Sequence, residues 1–299
     1  MRGADLTGQL AALGAAASWA VTAIVIEGAA RRIGSLTVNL VRLVFGFALL
    51  SLTAFAIRGI PLPTDATAHN WVWLGISGLI GFTFGDLCLY RAYLVLGPRL
   101  SSLMMALVPP MTALIGWGAL GEMLTGRDLL GMTLTVVGIG WAILERGKGS
   151  ESGPLSISVS GVALGFGGAL GQAVGLILSK IGMAGYPALA ANQVRVFAGA
   201  VGYAVLFFAL RWWPNVRTGL RDRKALGLCA LGAVFGPFLG VSLSLVAVRE
   251  TVAGVAASIM ALTPVLIIPL VIVLRKERVG IGGFVGALVA VIGVALLFL

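Results

Sequence analysis

The sequence predicts an all-α integral membrane protein, ten transmembrane helices arranged as two inverted five-helix repeats around a central cavity. Three observations lead there. Of 299 residues, 59% are hydrophobic and only 11% charged, with a mean hydropathy of +1.04; soluble domains average about 25% charged. Apolar stretches long enough to cross about 30 Å of hydrocarbon as helices recur along the whole chain. The second half of the chain also repeats residue patterns of the first at a nearly constant offset.

In chain order the predicted spans are 6–27, 34–57, 71–91, 100–120 and 127–144, then 157–180, 187–210, 225–248, 252–274 and 279–298. The polar, Gly/Ser-rich gap from Glu145 to Ser156 divides the two sets, giving a first repeat over 1–147, a linker over 148–156 and a second repeat over 157–299. The first stretch is too long for the 7–15-residue core of a signal peptide and reads as the first span. Absence of apolar/polar alternation excludes a lipid-facing β-barrel. The 43 glycines are scattered, which excludes collagen and suits closely packed membrane helices.

The repeat is legible in named residues. Asn39-x-x-Arg42 recurs as Asn192-x-x-Arg195 at an offset of 153, and from the third span onward the offset is 155. Gly81 and Gly85 map to Gly236 and Gly240, Ala106-Leu107-x-Pro109 to Ala261-Leu262-x-Pro264, Glu122 to Glu277, Gly131 to Gly286 and Gly138 to Gly293. Five helices is an odd number, so the second set must lie inverted in the bilayer. Inverted repeats are characteristic of secondary transporters, whose substrates bind near the midplane between the repeats.

Of the 21 Lys and Arg residues, 14 fall on the face bearing loops 1–2, 3–4, 5–6, 7–8 and 9–10, here the odd face; five fall on the even face and two, Arg42 and Arg195, within spans. The positive-inside rule puts the odd face in the cytoplasm and both termini outside. A multi-pass protein of the cytoplasmic (inner) membrane is expected. The net charge of +10 does not indicate nucleic acid, because the cations sit in short gaps between apolar stretches instead of on one soluble face.

The pattern resembles the EamA-type transporters of the drug/metabolite transporter superfamily. The resemblance rests on the arginines of spans two and seven, on Met105-Ala106-Leu107-Val108-Pro109-Pro110 and its echo Met260-Ala261-Leu262-Thr263-Pro264, and on Gly121-Glu122-Met123-Leu124-Thr125 with the glycines that follow. It implies a basket in which spans 1–4 and 6–9 line the cavity and spans 5 and 10 pack outside. It also implies export of amino acids, other metabolites or toxic compounds, with the amino-acid-moving YddG-like branch nearest.

Ionisable groups within the bilayer are functional candidates by default. Arg42 lies about 12 Å and Asp86 about 8 Å in from the odd face at 1.5 Å per residue, close enough in depth to pair. That pair reads either as a structural lock or as a proton-coupling site. Arg195 is expected near the even face without an acid, since the offset sets Val241 where Asp86 stands. It would meet a substrate carboxylate, or backbone and amide groups such as Asn192. Asn39 and Asn192 share a helix face with their arginines. Trp19, Tyr90, Gln172 and Ser244 complete the candidate substrate-binding set. Pro109, Pro110, Pro237 and Pro264 are expected to interrupt spans four, eight and nine as gates or kinks, and Glu122 and Glu277 to cap the last helix of each repeat. Cys88 and Cys229 read as packing residues. With one histidine, His69, at a helix edge, no metal site, cofactor or His-based catalytic triad is expected. Phe84-Gly85-Asp86 resembles a membrane aspartyl protease motif, but Thr83 replaces a required glycine and no second buried aspartate exists, so enzyme and channel are the weaker readings. The partners expected are a small-molecule substrate and lipid, with no nucleic acid; a monomer is expected, a dimer left open.

Overall fold

The structure, a computed structural model, describes residues 2–145, 158–263, 265–267 and 281–297. Every regular element among them is helical. Helices α1 (Arg2–Ile33), α2 (Ser35–Arg58), α3 (Ala68–Gly78), α4 (Asp86–Met105), α5 (Val108–Leu120) and α6 (Gly126–Glu145) form the first set. The second comprises α7 (Val159–Gly182), α8 (Ala188–Ala209), the short α9 (Trp213–Gly219), α10 (Arg223–Ala233), α11 (Val241–Glu250), α12 (Ala253–Met260) and α13 (Ile281–Leu297). Six described segments, Leu6–Ile33, Ser35–Arg58, Ala68–Leu89, Val159–Gly182, Ala188–Ala209 and Arg223–Glu250, are long and apolar enough to cross a membrane, and three shorter apolar helices accompany them. Large side chains such as Ile57 and Phe208 point outward, 74% and 80% exposed, as lipid contact requires.

Spans three and eight are not simple α-helices. Each contains a π-helical turn, Leu79–Gly85 between α3 and α4 and Val234–Gly240 between α10 and α11. The two lie 155 residues apart. Asp86 N–H bonds Gly81 O and Val241 N–H bonds Gly236 O, five residues back in each case. Spans four and nine break alike: Leu107 N–H turns to Met104 O at 3.0 Å and Leu262 N–H to Ile259 O at 3.1 Å. Pro109 and Pro110, expected to interrupt span four, instead occupy the first turn of α5 after that break, where a missing N–H costs nothing. Pro264 and Glu277 lie outside the described residues.

One predicted connection is absent. Helical backbone runs through 92–99, within α4, where a loop between spans three and four is expected. Proline normally drives the residue before it out of the helical region by a clash involving that residue's Cβ, but Gly97, which precedes Pro98, has none. The counterpart in the second repeat, Thr251-Val252, is extended, with φ −141° and −63°.

Glycines set how the repeats meet. A Cβ on Gly131 would stand 2.8 Å from Gly293 O, and one on Gly138 would stand 2.7 Å from Gly286 O. Ascending positions on α6 thus meet descending positions on α13, so the fifth helices run antiparallel and the repeats are inverted. The π turns are covered across the repeat boundary. Gly171 and Gly175 of α7 lie against Gly85 and Gly81, while Thr22 and Trp19 of α1 lie against Gly236 and Gly240. Likewise α8 packs on the first π turn and α2 on the second. Each repeat therefore supplies the wall that closes the other.

Candidate functional site

The cross-packing gathers charged residues from both repeats around Asp86, the first residue after the first π turn. Arg42 on α2 ion-pairs with Asp86 through Nη2 and Oδ2, with side chains only 10% and 9% exposed. From α7, Gln172 Nε2 donates to Asp86 Oδ1 at 3.0 Å and to Gly81 O at 3.3 Å. From α8, Arg195 sets its guanidinium 5.2 Å over the Phe82 ring, within electrostatic range of Asp86. Gly78 and Gly81 make that approach feasible, because a Cβ on the first would strike the Arg195 carbonyl and one on the second would lie 3.4 Å from Nη2.

Arg195 packs across the repeat boundary. Val241 does replace the acid of the second repeat, and Arg195 lies against the first repeat, over Phe82 and near Asp86 without a hydrogen bond to it, because α8 packs on the opposite repeat's π turn. It is buried, 5% exposed, and its Nε has no hydrogen-bond partner. Arg42 therefore pairs with Asp86 directly, while Arg195 acts on it only through its charge. A buried cation that is incompletely paired is costly, and an incoming anion would relieve that cost.

The remaining candidates separate. Asn192 does not serve Arg195; its Nδ2 donates to Pro237 O at 2.7 Å and to Ser242 Oγ at 3.0 Å, so it braces the second π turn. Pro237 lies inside that turn. Asn39, the repeat counterpart of Asn192, is 1% exposed with neither amide atom hydrogen-bonded. Trp19 stands 153 residues before Gln172 and covers Gly240 as Gln172 covers Gly85, so one π turn meets an indole and the other an amide. Ser244 Oγ spends its proton on Val241 O at 2.7 Å. Tyr90 belongs to α4, with its side chain outside the described residues.

A second polar group, missed by sequence reasoning, lies on the even face. Glu122 was expected to cap α6, but that helix starts with its own Thr125/Asp128 pair, Thr125 N–H reaching Asp128 Oδ2 at 2.8 Å. Glu122 instead crosses to the second repeat: Oε2 accepts from Ala253 N–H at 2.9 Å and Oε1 from Lys180 Nζ at 2.5 Å. Lys180 also donates to Thr251 O at 2.7 Å. Nearby loops join in the same sense, since Tyr186 OH donates to Asp65 Oδ1 at 2.9 Å while Arg58 pairs with Asp65 and covers the Tyr186 ring. Burial opposes ionisation of Asp65, but bonds from Tyr186 and Arg58 outweigh it and hold the carboxyl below its ordinary range. Burial raises the Tyr186 phenol, and its bond to Asp65 raises it further. The residue types gave no signal, because the partners lie 58 and 121 positions apart.

Inverted apolar repeats with charges buried where they meet define a membrane transporter scaffold. The family model for the EamA-like transporter family matches residues 6–144 and again 159–299. The chain belongs to that family. A solved structure described only as "Crystal structure of protein" shares the fold at a TM-score of 0.73 and 18% identity, covering 97% of this chain and 95% of that one. No curated protein matches the sequence. The chain is accordingly a multi-pass membrane transporter of small molecules, in a family of transporters rather than enzymes.

Proposed function

We propose that this transporter exports small zwitterionic metabolites, amino acids foremost, across the cytoplasmic membrane by alternating access between its repeats. The observation that supports this most is the buried guanidinium of Arg195, its Nε without a hydrogen-bond partner, beside the Arg42–Asp86 pair. A substrate carboxylate would complete the pairing of Arg195 while Asp86 or Gln172 received its ammonium group. Charge-assisted hydrogen bonds of this kind are stronger than neutral ones. A cation-selective drug exporter would place net negative charge there instead. In this reading the 14 cations of the odd face face the cytoplasm, and both termini face away from it.

The test is a thermal-shift screen of the purified protein against amino acids, sugars and lipophilic cations, followed by flux in proteoliposomes. Amino acids should stabilise the protein and saturate the flux. Losing a charge-assisted hydrogen bond costs about 1.5–3 kcal/mol, so Arg195→Gln should weaken binding about ten- to a hundredfold and leave the protein folded. Stabilisation by lipophilic cations alone, or full affinity in Arg195→Gln, overturns the assignment.

A further inference from the structure

The repeat counterparts joining spans two to three and seven to eight differ in a way the fold does not require. The first connection, 59–67, contains no Lys or Arg. The second has five exposed cations between 211 and 224: Arg211, Arg217, Arg221, Arg223 and Lys224. Its one acid, Asp222, is committed twice, accepting from Arg32 Nε at 2.7 Å and capping α10 through Ala225 N–H at 3.0 Å. The positive charge of the connection is therefore left uncompensated by its own residues.

This segment is a built ledge. Arg211 takes a positive φ of 54° as α8 ends, and Trp212 N–H closes back on Phe207 O at 2.8 Å. Trp213 meets the Phe207 ring edge-on at 6.2 Å. Short α9 is pinned beneath by Val216, 4% exposed, and by Gly219, where a Cβ would lie 3.1 Å from Thr37 and 3.2 Å from Ile33. Around the cations, Phe208, Leu210 and Leu220 stay 80%, 48% and 49% exposed. Cations, half-buried tryptophans and outward apolar side chains together are the composition of a membrane interface.

We propose that the ledge over 211–224 binds the headgroups of anionic phospholipids in the adjoining leaflet, and that this binding braces the ends of α1 and α2 against which α9 rests. The chemistry matches: several guanidinium groups for phosphodiester oxygens, and apolar side chains for the first acyl carbons. The proposal is independent of the substrate.

The experiment compares melting temperature in nanodiscs of phosphatidylcholine alone and of phosphatidylcholine with phosphatidylglycerol. The anionic lipid should raise the wild-type value by a few degrees, and high salt should erase part of that shift. Arg217→Gln/Arg221→Gln/Arg223→Gln/Lys224→Gln should melt alike in both lipids; if it fails to fold, the milder Arg221→Gln/Lys224→Gln should show a reduced shift. Arg127→Gln, on the other face, should keep the full shift. Equal wild-type melting in the two lipids, a full shift in the ledge variants, or a loss equally large in Arg127→Gln overturns the proposal.

Discussion

Glu122, in the first repeat, accepts a hydrogen bond from the backbone N–H of Ala253 at the start of α12 in the second, at 2.9 Å. The same carboxylate holds Lys180, whose ammonium reaches Thr251 O. One side chain thus ties the turn after α5, the end of α7 and the break between α11 and α12. Glu122→Ala should lower stability by about 1–3 kcal/mol, read as a fall in melting temperature. Lys180→Met should cost less, because Glu122 keeps its bond to Ala253.

A different balance governs Arg42. Its removal leaves Asp86 buried with only Gln172 and the more distant Arg195. Arg42→Gln should destabilise by about 3 kcal/mol. Adding Asp86→Asn should restore much of that loss, since the stranded charge disappears. Thermal melts of the two single variants and the double variant form the cycle; purely additive losses would contradict a coupled pair.

Asn39 and Asn192 occupy equivalent positions but should respond with opposite sign. Asn192→Leu strands Pro237 O and Ser242 Oγ, bonded at 2.7 and 3.0 Å, and should cost about 1–3 kcal/mol. Asn39 has no such bonds to lose, so Asn39→Leu should be neutral or stabilising in the same melts.

Acid should loosen the even-face loops. Because the Asp65 carboxyl lies below its ordinary range when folded, its contribution to stability is present above the unfolded pKa and is lost as pH falls through the folded one. Melting temperature should decline below about pH 4, with a shallower decline in Asp65→Asn. Tyr186 titrates above its ordinary value, so its share is present below the unfolded pKa and is lost only as pH rises through the folded one, on the alkaline side. A Tyr186→Phe variant should flatten that limb.

What the sequence conveyed followed from regularities along the chain. Apolar length marked the spans, and the 153–155 offset marked the duplication that the family match over 6–144 and 159–299 reproduces. Depth along two helices sufficed to anticipate that Arg42 meets Asp86. Contacts between repeats were not legible. Offset arithmetic compares Arg195 with positions in its own repeat, whereas its neighbours are Gly78, Gly81 and Phe82 of the other. Glu122 was misread for the same reason: its own helix already had Thr125 and Asp128. The first π turn was hidden because Leu79–Gly85 looks like ordinary apolar helix; in Val234–Gly240 Pro237 marks an interruption, but nothing in composition reports one extra residue per turn.

Those two turns have a mechanical consequence. A π turn holds one residue more than the α-helical ladder around it. Passing that residue along the helix re-registers everything beyond it by about 100°, one residue's share of an α-helical turn. Just past the first turn stands Asp86, and just past the second stands Val241. A ratchet of one residue in the first would swing Asp86 away from Arg42 and Gln172, while the same step in the second would carry only an aliphatic side chain. Matched joints thus have unequal cargo: only the first would carry a charge with it.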